Sequence, residues 1–143
     1  MKKNLLVLAL LMLFSTYAWA QSLSPIGVWT NEDGKARFEI YKCGTKLCGK
    51  IVSLKEPNRN GKPKVDENNP DKKHRNRPLL GMVFMQNFEY DGGNKWDEGT
   101  IYDPESGKTY SCYMKMTGKD KMEVKGYIGI SLIGRTQNWT RLK

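Results

Sequence analysis

The sequence predicts an all-β protein, a small antiparallel up-and-down barrel of about eight strands. Three observations carry that expectation. Apolar and polar residues alternate with period two through most of the chain, the pattern of strands with one face on a core and one in water. Gly, Asp, Asn and Pro turn signals separate these runs. The 123 residues that follow the first 20 suffice for one core and not two. Such a meander must cover its edges, and closing into a barrel removes them.

The N-terminus is read separately. Met1-Lys2-Lys3-Asn4 precedes an apolar run from Leu5 to Phe14, and Ala18-Trp19-Ala20 has the small-x-small form of a cleavage site. A run of about ten residues is too short for a hydrocarbon core, which needs roughly 20. Residues 1–20 therefore read as a signal peptide cleaved near Ala20, with an exported domain, periplasmic or secreted, over 21–143. Loss of Lys2 and Lys3 takes the formal charge from +9 to +7. No second apolar run follows, so a membrane-spanning helix is not expected.

Gly27-Val28-Trp29 opens a first strand at 27–31, which Asp33-Gly34 ends. In 35–43, Ala36, Phe38 and Ile40 oppose Lys35, Arg37 and Glu39. Gly44 turns the chain into 47–54. Strands 80–89, 96–103, 108–117, 121–128 and 134–142 follow, separated by Asp91-Gly92-Gly93-Asn94, Asp103-Pro104-Glu105-Ser106-Gly107 and Gly118-Lys119-Asp120. In 109–116, Tyr110, Cys112, Met114 and Met116 share a face, and in 121–128, Met122, Val124 and Ile128 do. The inward set of interest for a ligand pocket is Phe38, Ile40, Met82, Phe84, Tyr110, Met114, Met116 and Met122, with Val124 beside them. Methionine suits irregular or promiscuous pockets.

Cys43 and Cys48 flank a tight turn. Facing residues on paired strands lie about 4.5–5.5 Å apart at Cα, within the reach of a disulfide. The pair reads as a structural staple, common in small exported domains. It lacks the C-x-x-C spacing and helix N-terminus of a redox pair. Cys112 is left over and reads as a buried thiol.

Residues 55–78 break the meander. They are polar and rich in Asn, Pro and Lys, and from Lys55 to Arg77 hold eight Lys/Arg against four Asp/Glu. Long connections of this kind are either functional or disordered. Lys62, Lys64, Lys72, Lys73, Arg75 and Arg77 form a candidate patch for an anionic envelope partner; the alternative is a solvated, mobile loop. Nucleic acid is not expected, since few aromatics interleave with the charges to stack bases.

Catalytic and metal readings are weak. His74, the single His, stands among cations in Lys72-Lys73-His74-Arg75, with no nucleophile or orienter nearby in sequence. One His and three Cys do not supply a zinc site. Asp66-Glu67-Asn68-Asn69-Pro70-Asp71 offers oxygen ligands but lacks the EF-hand spacing, and Asn-Pro-Asp is ordinary turn chemistry. Gly126, Gly129 and Gly134 precede no helix and so lack the context of a phosphate cradle. No catalytic residue, cofactor or metal is assigned.

Two resemblances extend this reading. Gly27-Val28-Trp29 near the start and Arg141 near the end resemble the calycin superfamily of lipocalins, fatty-acid-binding proteins and avidins. There a basic residue of the last strand packs across the first-strand Trp; such a cation–π pair contributes about 0.5–2 kcal/mol. The resemblance implies barrel closure by Trp29 and Arg141. Nearly all of 21–143 is also similar to the bacterial exported family called domain of unknown function 2147. Cys43-Gly44-Thr45-Lys46-Leu47-Cys48-Gly49, Arg77-Pro78-Leu79-Leu80-Gly81, Gly99-Thr100-Ile101-Tyr102-Asp103-Pro104, and Gly126 through Trp139 carry it. At Ser53 the chain departs from that family, which often has an aromatic there. This resemblance implies export and a small β domain and transfers no catalytic residue.

Two functions fit these expectations. One is a non-catalytic binding module for a small hydrophobic or amphiphilic ligand, because eight-strand barrels either fill with side chains or hold one ligand. The alternative is an interaction protein that uses the 55–78 loop on an anionic envelope partner. Interior volume discriminates between them.

Overall fold

A computed structural model describes residues 23–143; the signal segment expected at 1–20 lies outside the described residues. Eight strands close into an antiparallel barrel: β1 (Gly27–Thr30), β2 (Ala36–Cys43), β3 (Lys46–Leu54), β6 (Val83–Tyr90), β7 (Lys95–Asp103), β8 (Lys108–Gly118), β9 (Lys121–Tyr127) and β10 (Gly134–Arg141). Each strand pairs with its sequence neighbour in the barrel, and β1 pairs with β10 to seal the cylinder. Between β3 and β6 lie two short strands, β4 (Asn58–Arg59) and β5 (Lys62–Pro63), and a 3-10 turn at Lys72–His74. Among the described residues no helix is long and apolar enough to cross a membrane.

The eight expected strands are present; most ends that differ do so by one residue, and one differs by three. The strand expected at 80–89 begins at Val83, because Gly81 takes a positive φ of 85° and Leu79–Met82 form a turn tied to β3 through Ile51. The first strand ends at Thr30. Ile128, expected to point inward at the end of 121–128, lies beyond β9 and is largely exposed. Bulges interrupt four of the strand pairs. One, between Trp96 and Gly99, is set by Glu98 at φ 61° and by Gly99, where a Cβ would collide with the buried Phe88 ring. Bulges bend strands, as closure requires.

Alternation of turns sorts the loops to two ends. The β2–β3, β6–β7 and β8–β9 turns, and both ends of the described chain, lie at one end. There Trp29, Ile40, Met85, Cys112, Met114, Met116 and Met122 are almost completely buried. The Trp29 indole N–H donates to the Pro25 carbonyl at 2.8 Å. The Arg141 guanidinium sits 4.4 Å from the Trp29 ring centroid and donates to the carbonyls of Ile26, Ser24 and Lys119 at 2.7, 2.6 and 3.1 Å. Gly27, at φ 140°, leaves room for it: a Cβ there would lie 2.6 Å from Arg141 Nη1. This end is closed. The expected Cys43–Cys48 disulfide staples its β2–β3 turn, with the Cα atoms 5.7 Å apart.

Candidate functional site

The other end is open. It carries the β1–β2 turn, the 55–82 connector, the β7–β8 turn and the β9–β10 loop, which surround a cavity of about 1140 Å³. Its floor is aromatic. Phe38 stacks on Trp139 with centroids 4.5 Å apart at 22°, and Phe84 leans on Phe38 at 5.0 Å. Ile51, Leu54, Ile101, Tyr110 and Val124 form the walls. Charge is confined to the rim, where Lys35, Lys55, Arg59, Lys64 and Arg135 alternate with acidic groups such as Asp33, Glu67 and Glu105.

The expected pocket set divides by depth. Phe38, Phe84 and Tyr110 line the cavity, as does Val124. Ile40, Met82, Met114, Met116 and Met122 are buried but are not part of its lining. All but Met82 alternate as expected along their strands; Met82, expected within a strand, lies in the turn before β6. Met114, Met116 and Met122 lie below the aromatic floor, where they pack the closed half, as does Ile40. The interior is thus both filled and hollow: solid on one side of the Phe38–Trp139 stack and open on the other.

The connector is tied to itself and to the barrel by hydrogen bonds. The Asp66 and Leu79 backbone N–H groups donate to the carbonyls of Arg77 and Lys64 at 2.9 and 3.0 Å, so its two limbs pair across Val65 and Pro78. At its centre the Asp66 side chain is fully buried. Its carboxylate accepts from Tyr102 Oη at 2.6 Å, Asn69 Nδ2 at 2.7 Å and Arg77 Nη2 at 2.8 Å. Tyr102 belongs to β7 and lines the cavity, so this cluster clips the connector to the barrel wall. Burial alone would raise the Asp66 pKa, but the three donors and the Arg77 charge outweigh it and hold the pKa below its usual value. The same contact, after burial, pushes Tyr102 up to about 12. A second clip joins the connector to the β7–β8 turn: Asn68 Nδ2 donates to the Glu105 carbonyl at 3.0 Å. Gly107, at φ 71°, lets the Asn68 carbonyl approach where a Cβ would collide.

These contacts redistribute the expected cationic patch. Arg77 is committed to Asp66, and Arg75 Nε donates to the Asn69 carbonyl at 2.8 Å. Lys64 lies half-buried on the cavity rim. Lys62, Lys72 and Lys73 are exposed and form no ion pair among the described residues. His74 is exposed, 3.7 Å from Asp71, and is not in the cavity lining. Cys112 is fully buried below the floor, and burial, followed by the nearby Asp97 charge, pushes its thiol pKa well up. Sequence reasoning missed Asp66 and Tyr102 as partners and missed the exposed 128–133 loop.

Comparison with known proteins agrees with this architecture. No curated protein matches the chain. One solved structure that it resembles is described as "Protein HP1028 from the human pathogen Helicobacter pylori belongs to the lipocalin family"; the TM-score is 0.75 at 24% identity, covering 85% of this chain and 84% of that one. That likeness extends to the fold. The family model described as "Uncharacterized protein conserved in bacteria (DUF2147)" matches residues 27–141, from the first barrel strand to the last, and the chain belongs to that family.

Proposed function

We propose that this protein is an exported, non-catalytic carrier that holds a small hydrophobic or amphiphilic molecule in the open half of its barrel. The observation that carries the reading is the cavity of about 1140 Å³, apolar at its floor and walls and charged at its rim. Ligand sites are of this kind, about 300–1,000 Å³, mostly apolar, with few polar groups to orient the ligand. An aliphatic or aromatic body would rest on Phe38, Phe84 and Trp139, and an anionic head would meet Lys35, Lys64 or Arg135 at the mouth. Export is supported by the disulfide, which persists in oxidising compartments, periplasm or extracellular space.

Holding rather than transforming is supported by how the reactive groups are used. The Asp66 oxygens are taken by three donors, His74 faces solvent, and the Cys112 thiol is sealed below the floor. None is presented to a bound molecule as a base or nucleophile beside an orienting partner.

The test is native mass spectrometry of gently purified protein, with titration of a fluorescent polyene fatty acid. Gly126 points into the cavity with only ordinary contacts for an added Cβ, the nearest at 3.4 Å. Gly126→Phe therefore places a ring where the ligand would lie. The expected result is saturable one-to-one binding by the parent, weakened at least about tenfold in the variant, one factor of ten being about 1.4 kcal/mol. Absence of both a co-purified molecule and probe binding, or equal binding by folded Gly126→Phe, overturns the proposal.

A further inference from the structure

The loop joining β9 to β10 is anomalous for a protein surface. Ile128, Ile130, Leu132 and Ile133 are 72%, 58%, 86% and 71% exposed, four large aliphatic side chains within six residues. Scattered exposed apolar residues need no explanation, but a contiguous group does. The loop stands on a fixed base. At Gly134 a Cβ would lie 2.5 Å from the Gly126 carbonyl oxygen and 2.8 Å from the Tyr127 Cβ, so glycine lets β10 start tight against β9. Gly129 takes φ 78°, and the Ile133 backbone N–H donates to the Ile130 carbonyl at 3.2 Å.

Two neighbours give the loop its meaning. Ile128 and Ile133 also line the cavity, so the two ends of the loop's apolar run border the barrel's opening. At the same open end the connector carries net +4 from Lys55 to Arg77, with Lys62, Lys72 and Lys73 exposed and without ion-pair partners among the described residues. An aliphatic prong thus borders the apolar opening, and the cationic connector lies at the same end of the barrel.

We propose that the open end docks on an anionic phospholipid bilayer. The 128–133 loop enters the boundary between headgroups and acyl chains, the lysines rest on lipid phosphates, and the cavity faces the lipid. Shallow aliphatic insertion combined with cationic attraction is the ordinary physics of peripheral attachment. Depth is limited by the backbone: an irregular loop in hydrocarbon would leave peptide groups without partners, so entry stops at the interface. A protein partner fits less well. The prong has no Trp, Tyr or Arg, the residues that anchor protein interfaces, and Leu is under-represented there. This inference rests on the carrier reading for its purpose, since a mouth against lipid can exchange an amphiphile without crossing water; docking itself can be measured separately.

The experiment is flotation of the purified chain with vesicles of phosphatidylethanolamine containing about 30 mol% phosphatidylglycerol, and with pure phosphatidylcholine. Sedimentation velocity and the fatty-acid titration run beside it. Ile130 and Leu132 are not in the cavity lining. Expected are flotation with the anionic vesicles, a loss of roughly fivefold or more at high salt, and a loss of about tenfold or more for Ile130→Asp/Leu132→Asp. Lys62→Glu/Lys72→Glu/Lys73→Glu should lose flotation comparably, and both variants should keep vesicle-free fatty-acid binding within about twofold, because neither alters the cavity. Docking is overturned if the parent does not float with anionic vesicles, or if the Ile130→Asp/Leu132→Asp variant floats equally. A dimer abolished by that variant, without flotation, would assign the loop to a second copy and also overturn it. Flotation without fatty-acid binding removes the carrier reading and leaves docking; fatty-acid binding without flotation does the reverse.

Discussion

Replacing Asp66 by Asn removes the charge that holds the connector and leaves its shape. The amide accepts through one oxygen only, so its NH2 faces a former donor. Hydrogen bonds to a charged group contribute about 1.5–3 kcal/mol each, and the carboxylate accepts three. Arg77 is 40% exposed and Tyr102 half-buried, so both regain some water when the carboxylate goes. The net loss should be about 2–4 kcal/mol at pH 7, near the range for breaking a buried pair. For a domain of this size that lowers Tm by about 8–16 °C, at roughly 4 °C per kcal/mol. The sign with pH follows from the depressed pKa. Folding lowers the Asp66 pKa below its ordinary value of 3.8, so its stabilisation is complete well above pH 3.8 and is lost as pH falls through the folded value. Parent and Asp66→Asn should differ fully at pH 7 and 5, and the difference should shrink progressively as pH falls below 3.8. Urea titrations at each pH measure the difference, and trypsin cleavage after Lys72 or Lys73 reports whether the connector alone has come loose. Unchanged urea midpoint and unchanged cleavage at pH 7, or a difference that persists undiminished at pH 3, would refute the account of Asp66 as a charged clip.

The remaining predictions concern other parts of the barrel. Arg141→Ala removes the cation over Trp29 and leaves carbonyls of Ser24 and Ile26 without their donor; a loss of about 2–4 kcal/mol is expected in urea titration, combining a cation–π pair with charged hydrogen bonds. Cys43→Ser/Cys48→Ser opens a loop of six residues, for which chain entropy gives about 2 kcal/mol, readable as a shifted urea midpoint. Gly107→Ala meets both a positive φ and the Asn68 carbonyl, and should cost about 1–3 kcal/mol in thermal denaturation. Cys112 should resist an aromatic disulfide reagent at pH 8 in the native protein and react fully in denaturant, because its buried thiol is both inaccessible and held protonated.

Much of the barrel was legible because its signals are local. Alternation around Phe38 and Met122, the turns at Gly34, Gly44 and Gly107, and two Cys across a short turn each depend on a few adjacent residues. The site was less legible because its determinants are not. Asp66 and Tyr102 are 36 residues apart, and within the connector alone an acidic, amide-rich run looks the same whether it turns in water, binds a cation or is buried. Alternation says which side chains point inward and nothing of how far along the barrel axis they lie. Met114 and Phe84 are therefore equivalent in sequence, although one packs the closed half and the other meets the cavity. Ile128 continues the alternation of β9 beyond the point where pairing stops, so period alone read an exposed residue as a core one. The ends of strands are decided by partners, here by the close approach of Gly134 to Gly126.

The seam between β1 and β10 has a practical corollary. Trp29 faces Arg141 in register, so both ends of the described chain leave the barrel opposite its mouth. A tag or surface linkage at Lys143 would hold the molecule by its plugged base and turn the cavity, the aliphatic prong and the lysine shelf towards whatever is flowed across it. A lipid film or vesicle could then be presented to an oriented layer of protein, whereas random coupling through lysines would modify the shelf itself and blunt the contact being measured.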